Sequence, residues 1–461
     1  MRKTIVIDVV GLTPALIGAH TPFLKKWAEQ AKMAHVGHVT PAVTCAVQAT
    51  YMTGKWPTEH GIVANGWYFR DVCEVRNWHQ SNKLVQAPKF WEVAKALDPT
   101  FTCANICWWY AMNSTADYTV TPRPQYLADG RKMPDCYTYP MSLRDHLQEK
   151  LGTFPLFDYW GPKTNIRSSR YIANAAIETD KLYDPTLTLV YLPHLDYNAQ
   201  RHGPDHPSVH QDLREIDQVL ADLVTYFESR NAQVILLSEY GIAPVHRPIH
   251  INRALRGMGY ISVREERGTE LLDPGTCTAF AVSDHQVAHI YVNDLSQLEA
   301  VRTLVSGLPG VERVLGPEEK AAYHIDHERA GELVAIADKD SWFTYYYWLD
   351  DKRAPDYARI IDIHKKPGFD PVEMFTDPKI RMLIPKVGFK VLKKKLGFRM
   401  LMDIIPLDAT LVKGSHGRPP DSPAQGPVLL SRNKSLVPAD AIAPTDVFDI
   451  ILNHLKSESR I

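Results

Sequence analysis

Ile5-Val6-Ile7-Asp8 and Thr40-Pro41-Ala42-Val43-Thr44-Cys45 decide how this chain is read. The first is an apolar run ending in an acid, as expected of a buried strand whose last residue emerges at a sheet edge. The second opens a segment from Pro41 to Gly54 that closes with Thr53-Gly54 and leads into His60-Gly61-Ile62. Thr44 therefore stands just before a helix, and Asn65 follows in the next loop. An acid at a strand end, a hydroxyl at a helix start and a carboxamide nearby can converge on one point. There a metal-activated hydroxyl would attack phosphorus.

Working outward, short apolar runs alternate with helical patterns. This predicts an α/β fold with a mostly parallel central sheet covered by helices on both faces. Residues 5–10, 101–106, 187–192, 234–237, 287–292 and 333–337 read as strands. Residues 22–34, 213–227, 252–258 and 445–457 read as helices; in the second, Leu213, Ile216, Val219, Leu220 and Leu223 recur at helical spacing. The 187–192 run leads into His194 and Asp196, and the 234–237 run into Ser238-Glu239. Asp8, Asp196 and Glu239 thus each follow a strand at its C-terminal end, the edge where open parallel sheets bind ligands.

Several motifs carry a resemblance. Pro41-x-x-Thr44, Thr50-x-x-Thr53-Gly54, Pro57-x-x-His60-Gly61-Ile62 and Asn65 are similar to the nucleophile region of the alkaline phosphatase superfamily, in its nucleotide pyrophosphatase/phosphodiesterase branch. The likeness continues through Asp196, Ser238-Glu239-Tyr240-Gly241 and Gly414-Ser415-His416-Gly417. It implies that Thr44 is the nucleophile and that Asn65 holds a non-bridging phosphate oxygen. It also implies two divalent metal ions (Zn, Mn or Mg). One would be held by Asp8, Thr44, Glu239 and Tyr240, the other by Asp196, Gln200 and His416.

Three of these positions depart from the family pattern: Glu239 stands for Asp, and Tyr240 and Gln200 each stand for His. The resulting oxygen-rich set favours Mg²⁺ or Mn²⁺ over Zn²⁺. His202, His246 and His250 lie near the motifs in sequence and are alternative ligands. Ser283-Asp284-His285 resembles the family's Ser-Asp-His motif in letters and supplies a rival pair, Asp284 and His285. Asp362, His364 and Asp370 flank Lys365-Lys366-Pro367-Gly368; a solvated turn is the expectation, with His364 lent to the site as the alternative.

The 461 residues suffice for one large domain with insertions. With 45% hydrophobic and 23% charged residues the composition is that of a globular protein. The net charge of −1 supplies no overall attraction to nucleic acid or an anionic membrane. No run approaches the roughly 20 apolar residues of a membrane span. The basic start at Arg2 and Lys3 is followed by too brief an apolar stretch, broken by Asp8, for a signal peptide. Six cysteines do not suggest a disulfide scaffold, Cys103 and Cys107 read as buried thiols, and a reducing, cytoplasmic setting is the expectation.

Near residue 341 the composition shifts. Trp342-Phe343-Thr344-Tyr345-Tyr346-Tyr347-Trp348 is an aromatic cluster, and residues 380–402 mix Lys and Arg with Leu, Val, Phe and Met. Residues 1–340 and 408–461 are expected to form the core, with 341–407 an inserted cap. The aromatic cluster is read as core or interface, with Trp108-Trp109 placed to line a substrate cleft. The predicted activity is that of a phosphodiesterase or nucleotide pyrophosphatase on a small phosphorylated substrate, through a phospho-threonine. A phosphonate hydrolase, phosphomonoesterase or phosphate mutase on the same scaffold is the alternative, as is a catalytically weak ligand-binding relative.

Overall fold

Thr4–Val9 is a fully buried strand, the fifth of nine in the main sheet of the computed structural model, which describes residues 1–129 and 131–456. The order across the sheet is Ala441–Ile442, Lys32–Val36, Val428–Ser431, Gln233–Leu237, Thr4–Val9, Leu187–Leu192, Cys103–Ile106, Tyr118–Pro122 and Cys136–Tyr139. The strands from Gln233–Leu237 to Tyr118–Pro122 run parallel. Val428–Ser431 and Cys136–Tyr139 flank them antiparallel. Continuous burial explains why the central strands lack an apolar–polar alternation: both faces are covered.

The chain leaves Thr4–Val9 and later builds on both of its sides, so the strand order reverses there. In the ladder Asp8 pairs with Tyr191 on one side and Leu237 on the other. Asp196 and Glu239 lie a few residues beyond those partners. The register alone therefore brings three acids to one edge, at the switch point where parallel sheets hold ligands.

Helices pack in two groups. Arg167–Tyr183 lies against Leu187–Leu192 and against Pro207–Ser229, which buries Leu213, Ile216, Leu220, Leu223 and Phe227. Thr44–Thr53 packs with Asp446–Lys456, which also meets the Thr4–Val9 strand. Residue 457, expected to end that closing helix, lies outside the described residues. The helix expected over 22–34 stops at Glu29, because residues 32–36 are drawn into the sheet beside Val428–Ser431. Among the described residues no helix is long and apolar enough to cross a membrane.

A second, antiparallel sheet orders Ala279–Asp284, Val287–Val292, Leu333–Ala337 and Val311–Leu315. Its first hairpin turns through His285 and Gln286, and the Gln286 N–H donates to the His416 carbonyl. That bond ties the small sheet to the edge of the large one. Ser341–Phe343 pairs with Arg247–Ile249, and Trp342, Phe343 and Tyr345 to Trp348 are fully buried. The aromatic cluster is thus packed into the protein body and does not face the cleft.

Two glycines next to the site allow close backbone approach. A Cβ on Gly414 would lie 2.1 Å from the Ala199 carbonyl oxygen, and one on Gly241 would lie 2.0 Å from that of Gln425. Backbone atoms cannot yield as a side chain can. Gly414→Ala is expected to cost about 1–3 kcal/mol by overpacking. Urea unfolding should show a lower midpoint with an unchanged slope; an unaltered midpoint would show that this approach is not tight.

Candidate active site

Thr44 is the first residue of the helix Thr44–Thr53, so its hydroxyl sits where backbone N–H groups favour an anion. Its Oγ1 lies 3.2 Å from Tyr240 Oη. The Cys45 N–H donates to Asn65 Oδ1 at 3.0 Å, which fixes the carboxamide against the same helix end. Asn65 in turn donates its backbone N–H (2.8 Å) and its side-chain amide (3.1 Å) to the two oxygens of Asp284.

One turn after Thr44, Gln48 joins the acids. Its Nε2 donates to Glu239 Oε1 at 2.6 Å and to Asp8 Oδ2 at 3.4 Å. Its Oε1 accepts the Trp109 N–H at 2.6 Å. Burial, then the neighbouring Glu239 carboxylate, pushes the Asp8 carboxyl well above its ordinary range. Burial likewise raises Glu239 and pushes Asp196 up to about 7. Gln48 was not foreseen, although its i+4 spacing from Thr44 puts both on one helix face.

The other half of the site comes from the helix His194–His202 and the loop after Gly414. Gln200, four residues after Asp196, donates to its Oδ2 at 2.7 Å. His416 Nε2 lies 3.9 Å from Asp196 Oδ1, while its Nδ1 meets the Ala42 carbonyl at 2.8 Å. The His416 ring stacks on Tyr240 with centroids 3.6 Å apart. Its other side faces the His285 ring at 3.7 Å. Burial holds both imidazoles well below their ordinary pKa, so both are neutral with a lone pair to offer. His194 turns away instead, to Glu215 and Asp212 at 3.2 and 3.6 Å.

The alternative histidines separate clearly. His285 lines the cavity together with Thr44, Asp196, Tyr240 and His416, and its Nδ1 is held by Asp284 Oδ1 at 2.7 Å. A carboxylate on one ring nitrogen is the usual support for an imidazole whose other nitrogen acts. His202 packs on His206, His250 bonds Thr344 Oγ1, and His246 is exposed; none of them lines the cavity. Asp284 acts as a shared acceptor for Asn65 and His285.

The expected solvated turn at 365–368 is not one. Lys366 is buried, with Nζ 2.7 Å from both Asp370 and Glu373, since a lysine this deep requires paired carboxylates. The network seats Phe369 on the His285 ring, centroids 3.7 Å apart. His364 sits at the cavity's outer part, its Nδ1 on the Asn77 carbonyl.

The cavity measures about 140 Å³. Trp78, Trp109, Phe157, Tyr159, Trp160 and Phe369 dominate its wall. Trp109 is pinned by Nε1–H to the His79 carbonyl and meets Trp78 edge-on. The deep end is acidic and the outer end aromatic. Such a shape suits a ligand with a small charged head and an apolar or flat body.

The sequence model of the type I phosphodiesterase / nucleotide pyrophosphatase family matches residues 4–370, and the chain belongs to that family. An uncharacterized pyrophosphatase/phosphodiesterase of Schizosaccharomyces pombe is 24% identical over 211 residues, 44% of this chain and 37% of that protein. The chain thus matches little more than a third of that curated relative's length. Among solved structures, murine ectonucleotide pyrophosphatase/phosphodiesterase 5, an inactive Thr-to-Ala variant in complex with AMP, superposes with a TM-score of 0.61 at 15% identity. The match covers 99% of this chain and 96% of the murine one. Phosphonoacetate hydrolase from Sinorhizobium meliloti 1021, in complex with phosphonoformate, gives 0.60 at 14% identity, over 98% and 96% of the two chains. At such identities the likeness speaks for the fold.

The residues present fit divalent cations. Asp8 Oδ1, Asp196 Oδ1, Gln200 Oε1, Glu239 Oε2, His285 Nε2 and His416 Nε2 are all buried and have no hydrogen-bond partner among the described residues. No lysine or arginine pairs with Asp8, Asp196 or Glu239 among the described residues. Buried carboxylates require a proton or a cation to balance them.

The Gln48 amide donates to both Asp8 and Glu239. Gln48→Ala should lower metal-free stability by about 1–3 kcal/mol, through the lost hydrogen bonds. Adding Mn²⁺ or Mg²⁺ should recover most of the loss in a thermal melt. A variant as stable as the parent in EDTA would remove Gln48 from the acid cluster.

Proposed function

We propose that the chain is a divalent-metal-dependent phosphodiesterase or nucleotide pyrophosphatase that works through a phosphorylated Thr44. What supports this reading is a buried cavity lined by Thr44, Asp196, Tyr240 and His416, with Asp8 and Glu239 bridged by Gln48 one turn along the Thr44 helix and the Asn65 carboxamide held at the Cys45 N–H. Asp8, Thr44, Glu239 and Tyr240 would hold one metal ion; Asp196, Gln200 and His416 would hold the other. When bound, the ions neutralise phosphate charge, lower the pKa of a hydroxyl and stabilise a leaving oxygen.

The chain's own groups then divide the work. Thr44 Oγ1 attacks phosphorus, the new P–O bond forms and the bond to the leaving oxygen breaks. Glu239, two residues beyond the strand paired with Asp8, takes up the hydroxyl proton and passes it to the leaving oxygen. Asn65 holds a non-bridging oxygen, oriented by the Asp284 bonds that fix its amide. Water then cleaves the phospho-threonine and returns a proton to Thr44. The aromatic wall, Trp109 included, receives the body of the substrate and excludes solvent.

Tyr240 and Gln200 make the ligand set oxygen-rich, which favours Mg²⁺ or Mn²⁺. His285 is the histidine best placed to restore zinc preference, because it lines the same cavity and its buried Nε2 has no hydrogen-bond partner among the described residues. All six cysteines are free, which supports a reducing, cytoplasmic setting. Residues 341–407 are proposed as an insertion whose later part roofs the cleft.

Thr44→Ala should abolish turnover of bis(p-nitrophenyl) phosphate with the thermal midpoint preserved. A variant retaining near-normal turnover would exclude Thr44 as the nucleophile. Side-by-side assay of that diester, p-nitrophenyl phosphate and phosphonoacetate separates diesterase, monoesterase and phosphonate hydrolase activities; the diester is expected to be fastest. Apo-protein refilled with each metal should be most active with Mn²⁺ or Mg²⁺. Best activity with Zn²⁺, lost in His285→Ala, would place that imidazole among the ligands. Failure to take up metal, with no turnover of any of the three, would leave the ligand-binding alternative.

A further inference from the structure

The helix Leu383–Lys395 and the residues just after it leave large apolar side chains in water. Ile384 is 84% exposed, Leu396 66%, Phe398 64%, Phe389 58% and Leu392 52%. Phe389, Leu392 and Leu396 follow i, i+3, i+7 spacing and so share one helix face. Contiguous exposure of this kind marks a surface that meets a partner.

The charge around that face is of one sign. Residues 379–402 contain eight Lys or Arg and neither Asp nor Glu. Lys386 and Lys390 turn inward to Asp403, at 3.5 and 2.5 Å. Lys379, Arg381, Lys393, Lys395 and Arg399 are exposed, and Lys393 Nζ lies 4.8 Å over the Phe389 ring. Two copies meeting through this face would juxtapose like charges, which opposes a symmetric dimer. Apolar side chains fringed by lysines instead match the chemistry of an anionic bilayer, where rings enter the acyl boundary and ammonium groups meet headgroups.

The patch is continuous with the cleft. Arg399 donates to the Ala128 carbonyl, beside the short strands that carry Tyr126 and Lys132. A groove of about 2550 Å³ runs along the helix and shares Trp78, Tyr126, Lys132, Trp160 and His364 with the wall of the small cavity.

We propose that Leu383–Lys395 and the following residues to Leu401 form a docking surface for anionic lipid membranes. Seated there, the mouth of the cleft opens beside the headgroup layer. The inference rests on the surface and not on the catalytic reading, so its test needs no turnover.

The full chain is mixed with phosphatidylcholine vesicles or with vesicles that also contain phosphatidylserine, and bound protein is measured by flotation. Binding is expected only with phosphatidylserine, weakening as salt screens the lysines. F389S/L392S/L396S should abolish it. K393Q/K395Q should weaken it on the order of 25-fold, at roughly fivefold per lysine. Thermal melts establish that the variants fold; should the triple variant not fold, the lysine pair still decides. No flotation with either vesicle, or undiminished flotation of the folded variants, would overturn the proposal. Self-association of the parent that the triple variant abolishes would also overturn it and assign the face to a second copy.

Discussion

Three carboxylates are buried at one sheet edge, and among the described residues no lysine or arginine pairs with them. Asp8, Asp196 and Glu239 emerge after neighbouring parallel strands, and the register leaves them nowhere to spread. In water such groups repel weakly; at this depth each must share a proton, accept a hydrogen bond or hold a cation. Gln48, Gln200 and the raised proton affinities are the structure's partial answers. The unpartnered oxygens and imidazole nitrogens around them show what the protein itself leaves uncompensated.

The rest of the site is arranged to keep that cluster in place. The Asn65 carboxamide is clamped between the Cys45 N–H and Asp284. Asp284 also sets the His285 ring, which is packed between His416 and Phe369. Phe369 depends in turn on the buried Lys366–Asp370–Glu373 network. A chain of positioned groups therefore runs from the small antiparallel sheet and the 360–370 segment into the acidic end of the cleft. Preorganisation of this kind spares a site the cost of ordering its groups when the ligand arrives.

Bulk charge and local charge tell different stories here. The net charge of −1 offers no electrostatic attraction to any polyanion as a whole. Within residues 379–402 the charge is uniformly positive, and the helix holds that charge at the surface with its apolar residues. Fields at a surface decay within about 8–10 Å at physiological salt, so a local patch acts independently of the molecular total.

Much of the scaffold was determined by sequence alone. The apolar runs ending in Asp8, Asp196 and Glu239 specified strands and the edge at which they open, and Thr44 with its following pattern specified a helix start. Those are local properties, set by side-chain periodicity over a few residues. Gln48 was within reach of the same reasoning, by its i+4 relation to Thr44. What only the tertiary structure decided were pairings between groups far apart in the chain: Asp284 with Asn65, His285 against His416, Lys366 with Glu373. The outward placement of Phe389 and Leu392, and the inward placement of Trp342 to Trp348, were decided there too. Composition alone cannot separate an apolar segment that covers a core from one that faces solvent, because the distinction lies in what packs against it.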